Sequence, residues 1–337
     1  MDPVTQGVLG ASLPQALTGK KRSIAIAGLF GVAGGMAPDL DVLIRSTTDP
    51  LLFLEYHRQF THSLFFIPFG GVIVGLLMYY LLGRRLGLTL YLSCLYCALG
   101  YATHALLDAC TSYGTLLLWP LSVERFAWNT LSVIDPLYTL PLLAGVLMAT
   151  IKNNPRFAQL VLVWALIYPM LGLLQRDRAE AAGWELANAR GHQPVRLAAK
   201  PSFGNIVLWK VVYETKQHFY VDAMHVPIGG SRIKHYPGER AEKLNIARDF
   251  SWLAPQSQQA RDIERFRWFS NNYIAKDPAN PNRIIDIRYS LVPNEIAALW
   301  GIELSTQADN NSHVVYTVAR NLSANQRQVF LNQLLGR

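Results

Sequence analysis

Apolar positions fall in long unbroken runs in the first half of the chain and in short alternations in the second. Leu64 to Leu82 (LFFIPFGGVIVGLLMYYLL) has 19 residues and no charge. About 20 helical residues cross a hydrocarbon core about 30 Å thick, so this run predicts a span. Leu88 to Leu107 predicts another, with His104 near its end. Leu137 to Ile151 and Phe157 to Leu174 are shorter and cross only with tilt or local thinning of the bilayer. Ile24 to Ile44 starts apolar and is then interrupted by Gly34, Gly35, Pro38, Asp39 and Asp41, where Pro38 predicts that the helix ends near Ala37. Beyond Leu174 the period changes. Arg176 to Arg190 reads as a polar helix or connector, and Phe203–Tyr213, His218–His225, Arg283–Leu291 and His313–Val318 read as strands. Asp262–Ile274 and Ala324–Leu335 have helical spacing. The predicted fold is a membrane all-α helical bundle of about five spans over residues 1–175. A connector follows over 176–200, then a small soluble α+β domain over 201–337.

Composition sharpens that division. Of 337 residues 51% are hydrophobic and 16% charged, against roughly 25% charged in ordinary soluble proteins, which excludes a disordered chain and a disulfide scaffold. Residues 1–174 hold 10 Lys/Arg and 8 Asp/Glu, and residues 175–337 hold 21 and 15. The net charge of +8 is dispersed among acids, which fits anionic lipid headgroups better than nucleic acid. Lys20, Lys21 and Arg22, then Arg84 and Arg85, then Lys152 and Arg156 share one side of a five-span path. With that side cytoplasmic, the hydrophilic tail faces outward. The apolar run after Arg22 also resembles a signal peptide, but the long stretch before it, with Asp2, speaks against cleavage. Cys94 and Cys97 form a CxxC pair inside an apolar run and read as packing residues. No phosphate-binding Gly-rich loop, GxSxG elbow or internal repeat is present.

Ionisable groups in or beside spans are costly and are kept for pairing, transport or chemistry. Asp39 and Asp41 lie two apart, a spacing that diverges on a helix and converges only if the chain turns; alone they also suit a solvated loop. His57 and His62 flank Arg58 before the strongest span, where they serve a metal or lipid headgroups equally well. His104 and Asp108 share one helix face, extended by Thr111, for one ion or a mutual hydrogen bond. Asp135 before Pro136 is an expected helix N-cap. All seven Asp and His residues fall on the outer side of the threaded path, which favours a shared cation. Imidazole with carboxylate suits zinc, manganese or iron.

The stretches MDPVTQGVLGA, GGMAPDLDVL, EYHRQFTHSL, HALLDACTSYGT and SVIDPLY resemble the motifs of the YdjM family, inner-membrane-associated proteins described as metal-dependent hydrolases. The resemblance covers roughly residues 1–175, with weaker echoes at Arg267–Ser270 and Asp286–Tyr289. The family is similar in its helical motifs to the phospholipase C and P1-nuclease group. That relationship implies metal-ligand roles for Asp39, Asp41, His57, His62, His104 and Asp108. Many members read Thr-His near the N-terminus where this chain has Thr5-Gln6; Gln is a poor metal ligand beside His, which implies a site that is incomplete or filled differently here.

The function expected is hydrolysis of a phosphoester or lipid-like ester by metal-activated water, with Asp39 or Asp135 taking the proton and Arg58 neutralising an anionic substrate. The partners expected are membrane lipids and a small-molecule or lipid ester. A transporter would place its polar groups near the midplane of repeated halves, which this sequence does not show. A non-enzymatic anchor would close the coordination of a structural metal.

Overall fold

The computed structural model describes residues 1–19, 24–230, 232–319, 321 and 323–337. Two compact units emerge: Met1–Ile44, Tyr56–Leu173 and Phe203–Asn205 form the first, and Arg45–Glu55, Leu174–Ser202 and Ile206–Arg337 the second. The Lys20–Arg22 cluster lies outside the described residues.

The helices before the sheets are α1 (Pro3–Leu17), α2 (Ile24–Met36), α3 (Leu52–Tyr56), α4 (Ile67–Met78), α5 (Leu90–Cys110), α6 (Pro136–Lys152) and α7 (Pro155–Ala189). Their starts follow capping chemistry. Asp2 accepts the Thr5 N–H at α1, Thr89 the Leu92 N–H at α5, and Asp135 the Leu137 and Tyr138 N–H groups at α6. As Pro38 requires, α2 stops at Met36, and a 3₁₀ helix continues over Ala37–Leu43. Small residues let the backbones meet. A Cβ on Gly100 would lie 2.2 Å from the Gly31 carbonyl oxygen, and one on Gly34 2.0 Å from that of Cys97, so α2 and α5 touch main chain to main chain. Cys97 is buried in that contact, a packing residue with a free thiol.

Among the described residues four helical stretches are long and apolar enough to cross a membrane: Ile24–Leu43, Leu64–Gly83, Leu90–Cys110 and Pro155–Ala189. The expectation of five is one too many by length. α6 has 17 residues, about 25 Å at 1.5 Å per residue, short of a core about 30 Å thick. On α4 the exposed large side chains are Phe69, Val72, Ile73, Leu76 and Leu77, a face suited to lipid.

The second unit begins within α7, which runs unbroken from Pro155 to Ala189; most of the expected connector is therefore helix. β1 (Arg196–Pro201), β2 (Leu208–Glu214), β3 (His218–His225) and β4 (Lys234–Tyr236) form an antiparallel sheet in that order, and β5 (Arg240–Glu242) pairs with β3. α8 (Ile246–Asp249) and α9 (Gln258–Phe269) follow. Then β6 (Ile274–Lys276), β7 (Arg283–Asp286), β8 (Trp300–Glu303) and β9 (Val315–Val318) make a second antiparallel sheet, and α10 (Ala324–Leu334) closes the chain. α9 starts earlier than expected because Ser257 caps it, and it stops before Asn271 and Asn272, both left-handed. The core joins both sheets through Val212, Phe219, Val221, Ile285 and Ile287. Segment Arg45–Glu55 belongs here as well: Arg265 bonds Asp49 at 2.8 and 2.9 Å and also reaches Asp262 at 3.0 Å.

Candidate metal centre

The 3₁₀ turn decides what the Asp-x-Asp pair does. At about 120° per residue, positions two apart point about 240° apart, so Asp39 and Asp41 face different neighbours. Asp39 Oδ1 lies 3.4 Å from His104 Nε2 and 3.5 Å from His62 Nε2. Asp41 is saturated by donors instead. Its Oδ2 accepts the Arg58 N–H and the Thr61 hydroxyl, both at 2.9 Å, and its Oδ1 faces His57 Nδ1 at 2.8 Å.

Four of the expected ligands converge on one point. Asp39, His62, His104 and Asp108 each offer an atom within 4.8 Å of the others'. His62 Nε2 and His104 Nε2 are 2.9 Å apart, and Asp108 Oδ2 is 3.2 and 3.6 Å from them. Ligand bonds of about 2.0–2.1 Å in a tetrahedron imply edges of about 3.3 Å, which these separations bracket. Asp39 recurs with Asp41 and His57 in a second group, so one carboxylate is common to both.

The tautomers follow from the outer partners. His104 Nδ1 is 2.6 Å from the Gly35 carbonyl oxygen, which can only accept, so Nδ1 holds the proton and Nε2 a lone pair. His62 Nδ1 faces Asp41 Oδ2 at 3.3 Å, and the same reasoning leaves its Nε2 bare. Two bare nitrogens cannot hydrogen-bond each other, so either a proton or a cation lies between them, and the facing lone pairs suit a cation. Burial alone would lower the His62 imidazole, but Asp108, Asp39 and Asp41 raise it to about 10. Without an ion, the cluster holds a proton. Burial pushes His57 below its usual range despite Asp41.

Oxygen acceptors are also in surplus. Asp108 Oδ1 accepts Gln6 Nε2 at 2.9 Å and the Met1 amino group. Asp108 Oδ2 completes no hydrogen bond, and neither does Gln6 Oε1. Arg58 Nε is 3.1 Å from Asp108 Oδ2 as an ion pair, and Nη1 donates to Thr111 Oγ1 at 3.0 Å. Arg58 itself is 4% exposed and has φ +63°, a conformation that costs a non-glycine residue about 1–2 kcal/mol. Its N–H on Asp41 and its carbonyl on the Leu116 N–H hold it there.

Asp135 joins neither group; it caps α6 and accepts the Tyr168 hydroxyl on both oxygens. Burial raises its carboxyl above the usual range. Sequence reasoning missed the Thr61 hydroxyl and the Gly35 carbonyl as orienting partners, and only the THS and GG stretches hinted at them. Among the described residues, the histidines of the second unit form no metal cluster, and His235 pairs with Asp222 at 2.9 Å.

Comparison with known proteins places the first half of the chain in a membrane family. The family model described as "YdjM inner membrane protein" matches residues 1–179. A Bacillus subtilis (strain 168) protein described as "Uncharacterized protein YfhP" is 25% identical over 228 residues, 66% of this chain and 67% of that protein. No solved structure matches the chain, and the comparisons do not show the expected similarity to the phospholipase C and P1-nuclease group.

Proposed function

We propose, from the premise that this chain belongs to the YdjM inner membrane family, that it is a membrane-embedded metal-dependent hydrolase of a phosphoester or lipid-like ester. The observation that carries this reading is the convergence of two facing imidazole nitrogens with the Asp39 and Asp108 carboxylates, beside a buried Gln6 Oε1 that has no donor. Unpaired buried acceptors cost about 1–3 kcal/mol each, and a cation removes that cost at one stroke. The donor set fits zinc, manganese or iron(II). A divalent ion supplies a water acidified towards neutrality and positive charge for the ester oxygen.

The chain's own residues do the rest. Asp39 is the ligand whose side chain reaches solvent, at 22% exposure, while those of His62, His104 and Asp108 are at 0%. Asp39 is therefore at the open side, and it takes the proton from the attacking water. Asp135 is committed to its cap and to Tyr168, so it leaves that role to Asp39. Arg58 is a positioning residue, holding Asp108 and lending charge. Leu40, Val42 and Leu43 on the same 3₁₀ turn are exposed, and an ester with an apolar portion suits that rim. The partly exposed Asp39 gives a substrate a way to the ion, which suits catalysis.

Metal analysis of the purified protein beside His104→Ala and Asp41→Ala, followed by a phosphoester and lipid-ester panel, tests this reading. Stoichiometric divalent metal in the wild type, loss in His104→Ala, and chelator-sensitive hydrolysis are expected. Hydrolysis that is equal with and without metal overturns the proposal.

A further inference from the structure

Gln6 sits on α1 with its side chain wholly buried. Its Nε2 donates to Asp108 Oδ1 at 2.9 Å and points at the His104 carbonyl at 3.5 Å. That fixes which end of the amide is which, because turning it over would set a carbonyl oxygen against a carboxylate. Oε1 is then left buried with no donor. Such an orphan carbonyl is costly without a partner, and the amide that carries it already touches Asp108 and the main chain of His104, two residues of the centre described above. From this orphaned oxygen we infer that Gln6 is itself a ligand: Oε1 is a neutral oxygen donor to the ion held by Asp39, His62, His104 and Asp108. The inference rests on the metal-centre reading of that cluster.

The chemistry of this ligand has a consequence for the ion. A carboxamide oxygen is a hard donor that brings no charge, so the set becomes two imidazole nitrogens and three oxygens. Oxygen-rich sets favour manganese and iron(II) relative to sets with a third imidazole, which favour zinc. Gln6 thus sets metal preference as well as affinity.

The test is direct metal binding to the full chain in detergent, by calorimetry with manganese and with zinc, for wild type, Gln6→Leu, Gln6→Glu, Gln6→His and His104→Ala. A thermal melt without metal is run first to confirm that each variant folds. Gln6→Leu is expected to bind manganese roughly tenfold or more weakly, and Gln6→Glu, which keeps the ligating oxygen but sets a second one against Asp108, to lose clearly less than Gln6→Leu. Gln6→His is expected to raise the zinc-over-manganese ratio about tenfold. The visible band of the cobalt(II) form should change in Gln6→Leu, reporting a lost ligand without recourse to activity. Unaltered manganese binding and an unaltered cobalt band in Gln6→Leu overturn the inference. Equal loss in Gln6→Leu and Gln6→Glu also overturns it, because the residue then acts only through its hydrogen bond to Asp108. If His104→Ala binds metal like wild type, the metal centre itself is wrong; if His104→Ala loses metal while Gln6→Leu keeps it, only the role of Gln6 fails.

Discussion

At His62 the two ring nitrogens have different tasks. Nδ1 is turned toward Asp41 and Nε2 toward His104, Asp108 and Asp39. In the ion-free cluster this ring keeps its proton up to about 10, because three carboxylates outweigh burial. An incoming ion must displace that proton, so binding releases it and weakens as pH falls. Between about pH 6 and pH 8 the apparent affinity should climb by up to roughly tenfold per pH unit. Calorimetry in two buffers of different ionisation enthalpy checks this by counting protons: about one per ion is expected. Binding that is flat across the range would mean that the ion does not sit at His62 Nε2.

Among the elements, the contact of α2 with α5 brings Asp39 to His104, and glycine makes that contact. At Gly100 there is no room for a side chain, since the Gly31 carbonyl oxygen would lie 2.2 Å from its Cβ. Gly100→Val should therefore push the helices apart, destabilising the protein by about 1–3 kcal/mol. The melting temperature in detergent should fall by several degrees, and metal should be lost with it. The runs of apolar residues revealed these helices in the sequence, and the polar residues that interrupt them revealed four of the ligands as oddities worth joining. Other features were not legible, for physical reasons. The different neighbours of Asp39 and Asp41 depend on a 3₁₀ turn, which Pro38 permits but does not dictate. The left-handed backbone of Arg58 is imposed by Asp41 and Leu116, remote in sequence. β1 shows no alternation because Lys200, paired with Lys210 of β2, is buried beside the Tyr289 ring rather than turned to water. Burial lowers both lysines to about 7.

For the whole molecule, α6 decides on which side of the membrane the second unit stands. It is the shortest of the crossing candidates, with 17 residues and Pro141 in its interior. If α6 crosses, Lys152 and Arg156 share a side with Arg84 and Arg85, and α7 carries the tail to the opposite face. If it does not, those two cations lie opposite Arg84 and Arg85, and the tail returns to the Arg84–Arg85 side. Short loops rich in Lys and Arg stay cytoplasmic, and tilt of neighbouring helices or thinning of the bilayer offsets a shortfall of about 5 Å at modest cost. We propose that α6 crosses, so that the tail faces outward. Single cysteines introduced at half-buried Ser122 and at exposed Asn153 and Asn311, in a background with Cys94, Cys97 and Cys110 replaced by Ala, distinguish the two paths. A membrane-impermeant maleimide applied to intact cells should label positions 122 and 311 and spare 153. Labelling at 122 and 153 with protection at 311 would show that α6 lies within one leaflet and that the tail is cytoplasmic. The sidedness of the metal centre is unaffected by that outcome, because His57, His62, Asp108 and residue 122 all precede α6 in the chain.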